Sequence, residues 1–156
     1  MVLDIFILIA WLIMSVYVVV PKKLSMEENL FLFFFFTIVT INLFTIIDLN
    51  LNLIQHSHDT VMFISFWLHR SIIIPLALII FVNLILNLKS GLEKIITTVI
   101  VFLIVYLVNL LAFGIGLMTC SCPNLYFASA IVLAVLMLLA FLTMKLVTKL
   151  PEGRSS

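Results

Sequence analysis

Charged residues in this chain are confined to narrow gaps between long uncharged runs. No Asp, Glu, Lys or Arg lies between Asp4 and Lys22, between Glu28 and Asp48, between Arg70 and Lys89, or between Lys94 and Lys145. A helix needs about 20 apolar residues to cross the roughly 30 Å hydrocarbon core of a bilayer. Five stretches reach that length: residues 2–20, 25–47, 71–88, 95–118 and 125–144. Soluble domains hold about 45–50% apolar and about 25% charged residues, whereas this chain has 65% and 10%. The expected fold is therefore an all-α integral membrane protein, a bundle of five transmembrane helices. It forms a single domain over 1–150, with 151–156 a short cytoplasmic tail. No gap within these 156 residues holds a soluble unit of roughly 50 residues, which argues against a nucleotide-driven motor on the same chain.

Local signals mark the helix ends. Pro21-Lys22-Lys23 stops the first stretch. Ser25 with Glu28, and Ser90 with Glu93, are each a Ser-x-x-Glu pattern whose two side chains can cap a helix start reciprocally. Pro75 is expected in the first turns of the third span, where a missing amide costs least. Lys145, Lys149 and Pro151 close the fifth. Residues 1–20 lack the basic region and small-residue cleavage site of a secretory signal, so they are read as a retained span.

Lysine and arginine also set an orientation. In a five-span arrangement Lys22, Lys23, Lys89, Lys94, Lys145, Lys149 and Arg154 all fall on one side, and only Arg70 falls on the other. The positive-inside rule then puts the amino terminus outside and the carboxyl terminus in the cytoplasm of a multi-pass cell-membrane protein. A four-span or six-span arrangement would scatter the lysines. The loop around Cys120 and the segment 48–70 share the outer face.

The segment 48–70 contains all three histidines. Two arrangements compete for its second half. In the first, Asp59 caps a short interfacial or re-entrant helix with Trp67 at the headgroups, and His69-Arg70 opens the third span. In the second, one tilted helix runs from Thr60 to Leu88, which buries Arg70 and demands a partner for it. The position of Pro75 favours the first. Asp48, His69 and Arg70 then form an ion pair or outer vestibule in either arrangement.

His56, His58 and Asp59, with Cys120 and Cys122, are ligand types suited to a metal ion such as zinc, copper or nickel. His-x-His places both rings on one side only in an extended strand, and interfacial histidines account for the pattern equally well. Cys-x-Cys is not the spacing of a thioredoxin-like redox pair. No cofactor is therefore assigned, with a metal ion the one alternative. Within the spans, Asn42, Thr45, Asn83 and Asn109 either line a polar path or hold helices together, and packing is the better account because interhelical hydrogen bonds recur in such bundles. Ala112 with Gly116, and Ala130 with Ala134, have the four-residue spacing of close helix contacts.

No acid or base interrupts the middle of any span as drawn, which counts against a proton-coupled pump. There is no basic patch interleaved with aromatics, so no nucleic-acid partner is expected. Three functions follow in descending order: a non-enzymatic accessory or assembly subunit with the bilayer and a membrane protein or second copy as partners; a small oligomeric transporter or channel with a polar outer vestibule; and a metal- or thiol-dependent membrane enzyme. The orientation has a direct test. After mild reduction, a membrane-impermeant thiol reagent applied from outside should label Cys120 and Cys122 in intact cells; labelling only after the cytoplasmic side is exposed would reverse the orientation.

Overall fold

A computed structural model describes residues 1–47, 54–56, 59–120 and 125–147 of the chain. The elements run α1 (Val2–Val19), α2 (Met26–Thr45), β1 (Ile54–His56), α3 (Thr60–Leu68), a π turn (His69–Ile73), α4 (Ile74–Asn87), α5 (Gly91–Gly114), β2 (Met118–Cys120) and α6 (Leu125–Val147). The fold is helical, and the described residues contain five helices long and apolar enough to cross a membrane.

The third of these is Thr60–Asn87, a single helix of 28 residues built from α3, the π turn and α4. At 1.5 Å per residue it is roughly 42 Å long. The expected separate short helix ahead of a span over 71–88 is thus replaced by the continuous alternative. Asp59 does cap its start, accepting a hydrogen bond from the Val61 amide at 3.3 Å. Pro75 falls inside the helix instead of at its entrance, and the chain absorbs it by widening one turn. There the Ile74 amide donates to the His69 carbonyl, five residues back.

α4 is the centre of the molecule. It packs against α1, α2, α5 and α6, and 78% of the most apolar 18-residue window of Thr60–Asn87 is buried, against 6% for α1. A helix apolar on every face belongs in a core, but all five candidates meet that description, so hydrophobicity alone cannot choose among them. Polar contacts make the choice. Asn83 of α4 donates to the Asn29 side chain of α2 at 2.7 Å and accepts from the Lys23 amide at 3.3 Å. Asn29 in turn donates to the Leu24 and Ser25 carbonyls at 3.0 and 2.9 Å, and Asn87 donates to the Pro21 carbonyl at 2.7 Å. The link between α1 and α2 is thereby bound to the end of α4.

Buried stripes complete the packing. In α2 they are Asn29, Leu32, Phe36, Thr40 and Phe44, spaced by three or four residues as one helical face requires. α5 contributes Val105, Asn109 and Ala112, and α6 contributes Leu133, Leu136, Met137, Ala140 and Met144. α1 is held on one side of Thr60–Asn87 and buries only Phe6.

Both Ser-x-x-Glu patterns act as capping boxes. At the first, the Ser25 amide donates to Glu28 at 2.7 Å and the Glu28 amide donates to Ser25 Oγ at 3.2 Å. α5 starts at Gly91, ahead of the expected 95, and ends at Gly114, ahead of the expected 118. Its end is a Schellman motif. Gly116, at φ +80°, donates to the Phe113 carbonyl, Leu117 donates to the Ala112 carbonyl, and the Leu117 side chain is fully buried. Gly116 is therefore a cap residue and not half of a helix-packing pair with Ala112.

Past that cap, β2 pairs antiparallel with β1 in the register Ile54↔Cys120, Gln55↔Thr119 and His56↔Met118. The chain between α2 and α3 thus meets the chain between α5 and α6, as the five-helix count requires. The lysine-bearing links between α1 and α2 and between α4 and α5 sit at the opposite end.

The Asn83 contacts generate a measurable expectation. Interhelical hydrogen bonds in membrane bundles average about 0.6 kcal/mol, and orphaned buried groups add about 1–3 kcal/mol. Asn83→Ala should lower the thermal midpoint of the detergent-purified chain by several degrees. Asn42→Ala, at an exposed site whose amide only reaches its own helix at Ile38, should leave it unchanged. Equal effects would show that the Asn29–Asn83 link does not organise the bundle.

Candidate functional site

The π turn carries the most unusual chemistry in the described residues. Proline has no amide hydrogen, and its ring clashes with the carbonyl four residues earlier. For Pro75 that carbonyl belongs to Ser71. Released from regular helical bonding, it accepts a hydrogen bond from Thr37 Oγ1 of α2 at 3.4 Å. Single π turns inside α-helices recur at functional sites, and here the turn presents three polar side chains, His69, Arg70 and Ser71.

His69 is completely buried. Its ring meets Phe6 of α1 edge-on, with centroids 5.8 Å apart and planes at 90°. Neither ring nitrogen has a hydrogen-bond partner among the described residues, and the same holds for the buried hydroxyls of Ser71 and Thr40. Ser65 and Thr45, by comparison, return their hydroxyls to a carbonyl four residues back, at Val61 and Ile41, and outside α2 and the long helix the Ser129 hydroxyl of α6 is also buried without a described partner. The contrast makes the π turn a concentration of uncompensated polarity, where each orphaned group costs about 1–3 kcal/mol.

Arg70 is half-buried, with its guanidinium over the Phe66 ring at 5.0 Å. Phe66 in turn meets Phe44 of α2 edge-on at 6.0 Å. The cation–π contact, a geometry worth about 0.5–1 kcal/mol when exposed and about 2 when desolvated, therefore lies within the long helix, and the Phe44–Phe66 ring contact joins it to α2.

Of the remaining expected site residues, His56 and Cys120 lie on the two paired strands. Asp48, His58 and Cys122 lie outside the described residues, so the pairing of Asp48 with Arg70 does too. His56 ends β1 opposite Met118, and Cys120 ends β2 opposite Ile54. Asp59 serves as a helix cap. Among the described residues no group of three His, Cys, Asp or Glu converges as a metal site would require. Asn42 is exposed, Thr45 is half-buried and bonded to its own helix, Asn83 is committed to Asn29 and Lys23, and Asn109 is buried with its carbonyl oxygen lacking a partner among the described residues.

Asn29 and Ser71 were not singled out from the sequence. Asn29 had a usable signal. It stands one turn past the Ser25 cap, and Asn83 stands one turn before Asn87 at the opposite-running helix end, so both lie at one depth beside the lysines. Ser71 had none, because its importance depends on Pro75 lying mid-helix.

Replacing a buried polar group by an apolar one of similar shape is neutral or stabilising when the polar atoms were unpaired. His69→Leu should therefore hold or raise the thermal midpoint of the purified chain. A fall of several degrees would show that the ring makes a polar contact the bundle depends on. No family model matches this chain, and no curated protein and no solved structure matches it either.

Proposed function

We propose that this chain is a multi-pass membrane protein acting as a non-enzymatic accessory or assembly subunit, with its amino terminus outside and its lysine-rich end in the cytoplasm. The observation that carries the reading is the contrast between α4 and α1. α4 is enclosed by the other helices, and its asparagines are spent on hydrogen bonds to α2 and to the link before it. α1 buries one residue and turns Ile7, Leu8, Trp11, Leu12 and Val18 outward, each more than half exposed. Apolar surface of that extent is stable only against lipid or another apolar surface. Asn83 is spent on Asn29, and Asn42 and Thr45 are bonded to their own helix, so these polar groups of the spans serve structure, which favours assembly over transport.

The membrane setting also accounts for the length of Thr60–Asn87. Counting about 20 residues upward from Asn87 fills the hydrocarbon core and brings His69 and Arg70 to its outer boundary. α3 then continues beyond that boundary, with Trp67 among its exposed residues, a residue enriched at such interfaces.

The test is photo-crosslinking from α1 in native membranes. A photoreactive amino acid at Leu8 or Trp11 should give one discrete protein adduct, while the same probe at Leu107 of α5 should give mainly lipid adducts. Lipid adducts from every position, combined with solute flux through vesicles containing only the purified chain, would replace the assembly reading with the transport one.

A further inference from the structure

A cleft separates α5 from α6, floored by Phe81 and Ile85 of α4. Its deeper part has a volume of about 460 Å³, walled by Phe102 and Leu103 on α5 and by Met137 and Phe141 on α6. It continues past Thr98, Val99 and Phe141 into a second space of about 300 Å³ that ends at Gly91 and Lys94. From Leu103 to Gly91 the cleft follows α5 for twelve residues, roughly 18 Å at the helical rise. That length is about one leaflet of a bilayer whose core is roughly 30 Å thick.

The lining is apolar apart from its lysine end. Thr98 Oγ1 donates to the Lys94 carbonyl at 2.7 Å, so its hydroxyl is satisfied within α5. At the mouth Lys94 is half-buried and lines the cavity wall, the one charged side chain among the described lining residues. On the facing helix, the Lys145 ammonium lies over the Phe141 ring at 4.9 Å, and Phe141 borders both spaces. The nearest acid in sequence, Glu93, is engaged at the Ser90 amide at 3.4 Å as part of the α5 cap. Two cations therefore flank one end of a one-leaflet apolar cleft.

We propose that this cleft binds an anionic phospholipid of the lysine-side leaflet, with an acyl chain between α5 and α6 and the phosphate between Lys94 and Lys145. The assignment rests on the membrane reading above. A neighbouring helix would fill the apolar wall but has no use for the Lys94 ammonium in the wall of its mouth, whereas an anionic headgroup above a buried chain meets it.

Native mass spectrometry of the full-length chain, purified in detergent and offered equimolar phosphatidylglycerol and phosphatidylcholine, tests the site. Wild type should retain phosphatidylglycerol in preference. A lysine near an anionic surface contributes enough for about a fivefold change in binding, so K94Q and K145Q should each weaken retention by about that factor, and A134W should block it by filling the cleft. Should A134W fail to fold, the measurement becomes the phosphatidylglycerol-induced rise in thermal midpoint, present in wild type and lost in the K94Q/K145Q double variant. Equal retention of both lipids would overturn the anionic site while leaving the membrane reading intact; failure of the chain to sediment with carbonate-washed membranes would overturn the membrane reading itself. Displacement of phosphatidylglycerol by millimolar inorganic phosphate would reduce the site to a phosphate site and overturn the lipid assignment, and a crosslink from position 134 to protein would assign the cleft to a partner.

Discussion

The hydrogen bond from Asn83 to Asn29 is the contact on which the arrangement of the bundle depends. Five helices of similar apolarity have no hydrophobic reason to prefer one as the centre, and in lipid that driving force between helices vanishes altogether. Asn83 breaks the tie because it can be satisfied only where α2 and the link after α1 come together. Asn87 adds a second anchor to the Pro21 carbonyl. Once these are made, α1 and α2 are fixed to the lysine end of α4, and α5 and α6 cover what remains of its surface.

A second constraint acts higher on the same helix. Pro75 prevents regular bonding just where α4 is most enclosed, and the π turn is the response. Its consequences reach two neighbours. The freed Ser71 carbonyl draws Thr37 of α2 toward it, and the altered turn sets His69 against Phe6 of α1. Phe6 is the single buried residue of α1, and it meets an imidazole whose nitrogens are not bonded to any described residue, while Val2, Ile9, Ala10, Ile13 and Tyr17 pack partly buried against the same core. One end of the bundle is thus secured by hydrogen bonds to backbone, and the other by aromatic edges and a three-residue strand pair.

Much of this was legible in the sequence, and the gaps have physical causes. Helix number, both capping boxes, the Asp59 cap and the meeting of the chain near residue 55 with the chain near Cys120 all followed from signals that act locally or by parity. The internal arrangement did not. Periodicity identifies a buried face by contrast with a polar one, and α2, α4 and α6 offer no such contrast. Pro75 was ambiguous for a related reason. A proline in a first turn and a proline bridged by a π turn have the same neighbours in sequence, and only the contact with Thr37 separates them. The boundary at Gly114 was hidden because residues 115–118 are as apolar as the helix before them, and the stop signal is the backbone conformation of Gly116.

The same logic bears on which residues can be functional. In a chain this apolar, a polar side chain that is neither satisfied nor exposed is a cost, and the described residues fall into three groups. Asn29, Asn83 and Asn87 are satisfied, and their role is packing. Asn42 is exposed and bonded to its own helix. The side chains of His69, Ser71, Thr40 and, on α6, Ser129 have polar atoms that are neither exposed nor bonded to another described residue. A bundle that needed only stability would be better served by leucine or alanine at those positions, since orphaned polar atoms are a net cost. His69 and Ser71 lie on the one irregular turn of the central helix, and that turn touches both neighbours, α1 through Phe6 and α2 through Thr37.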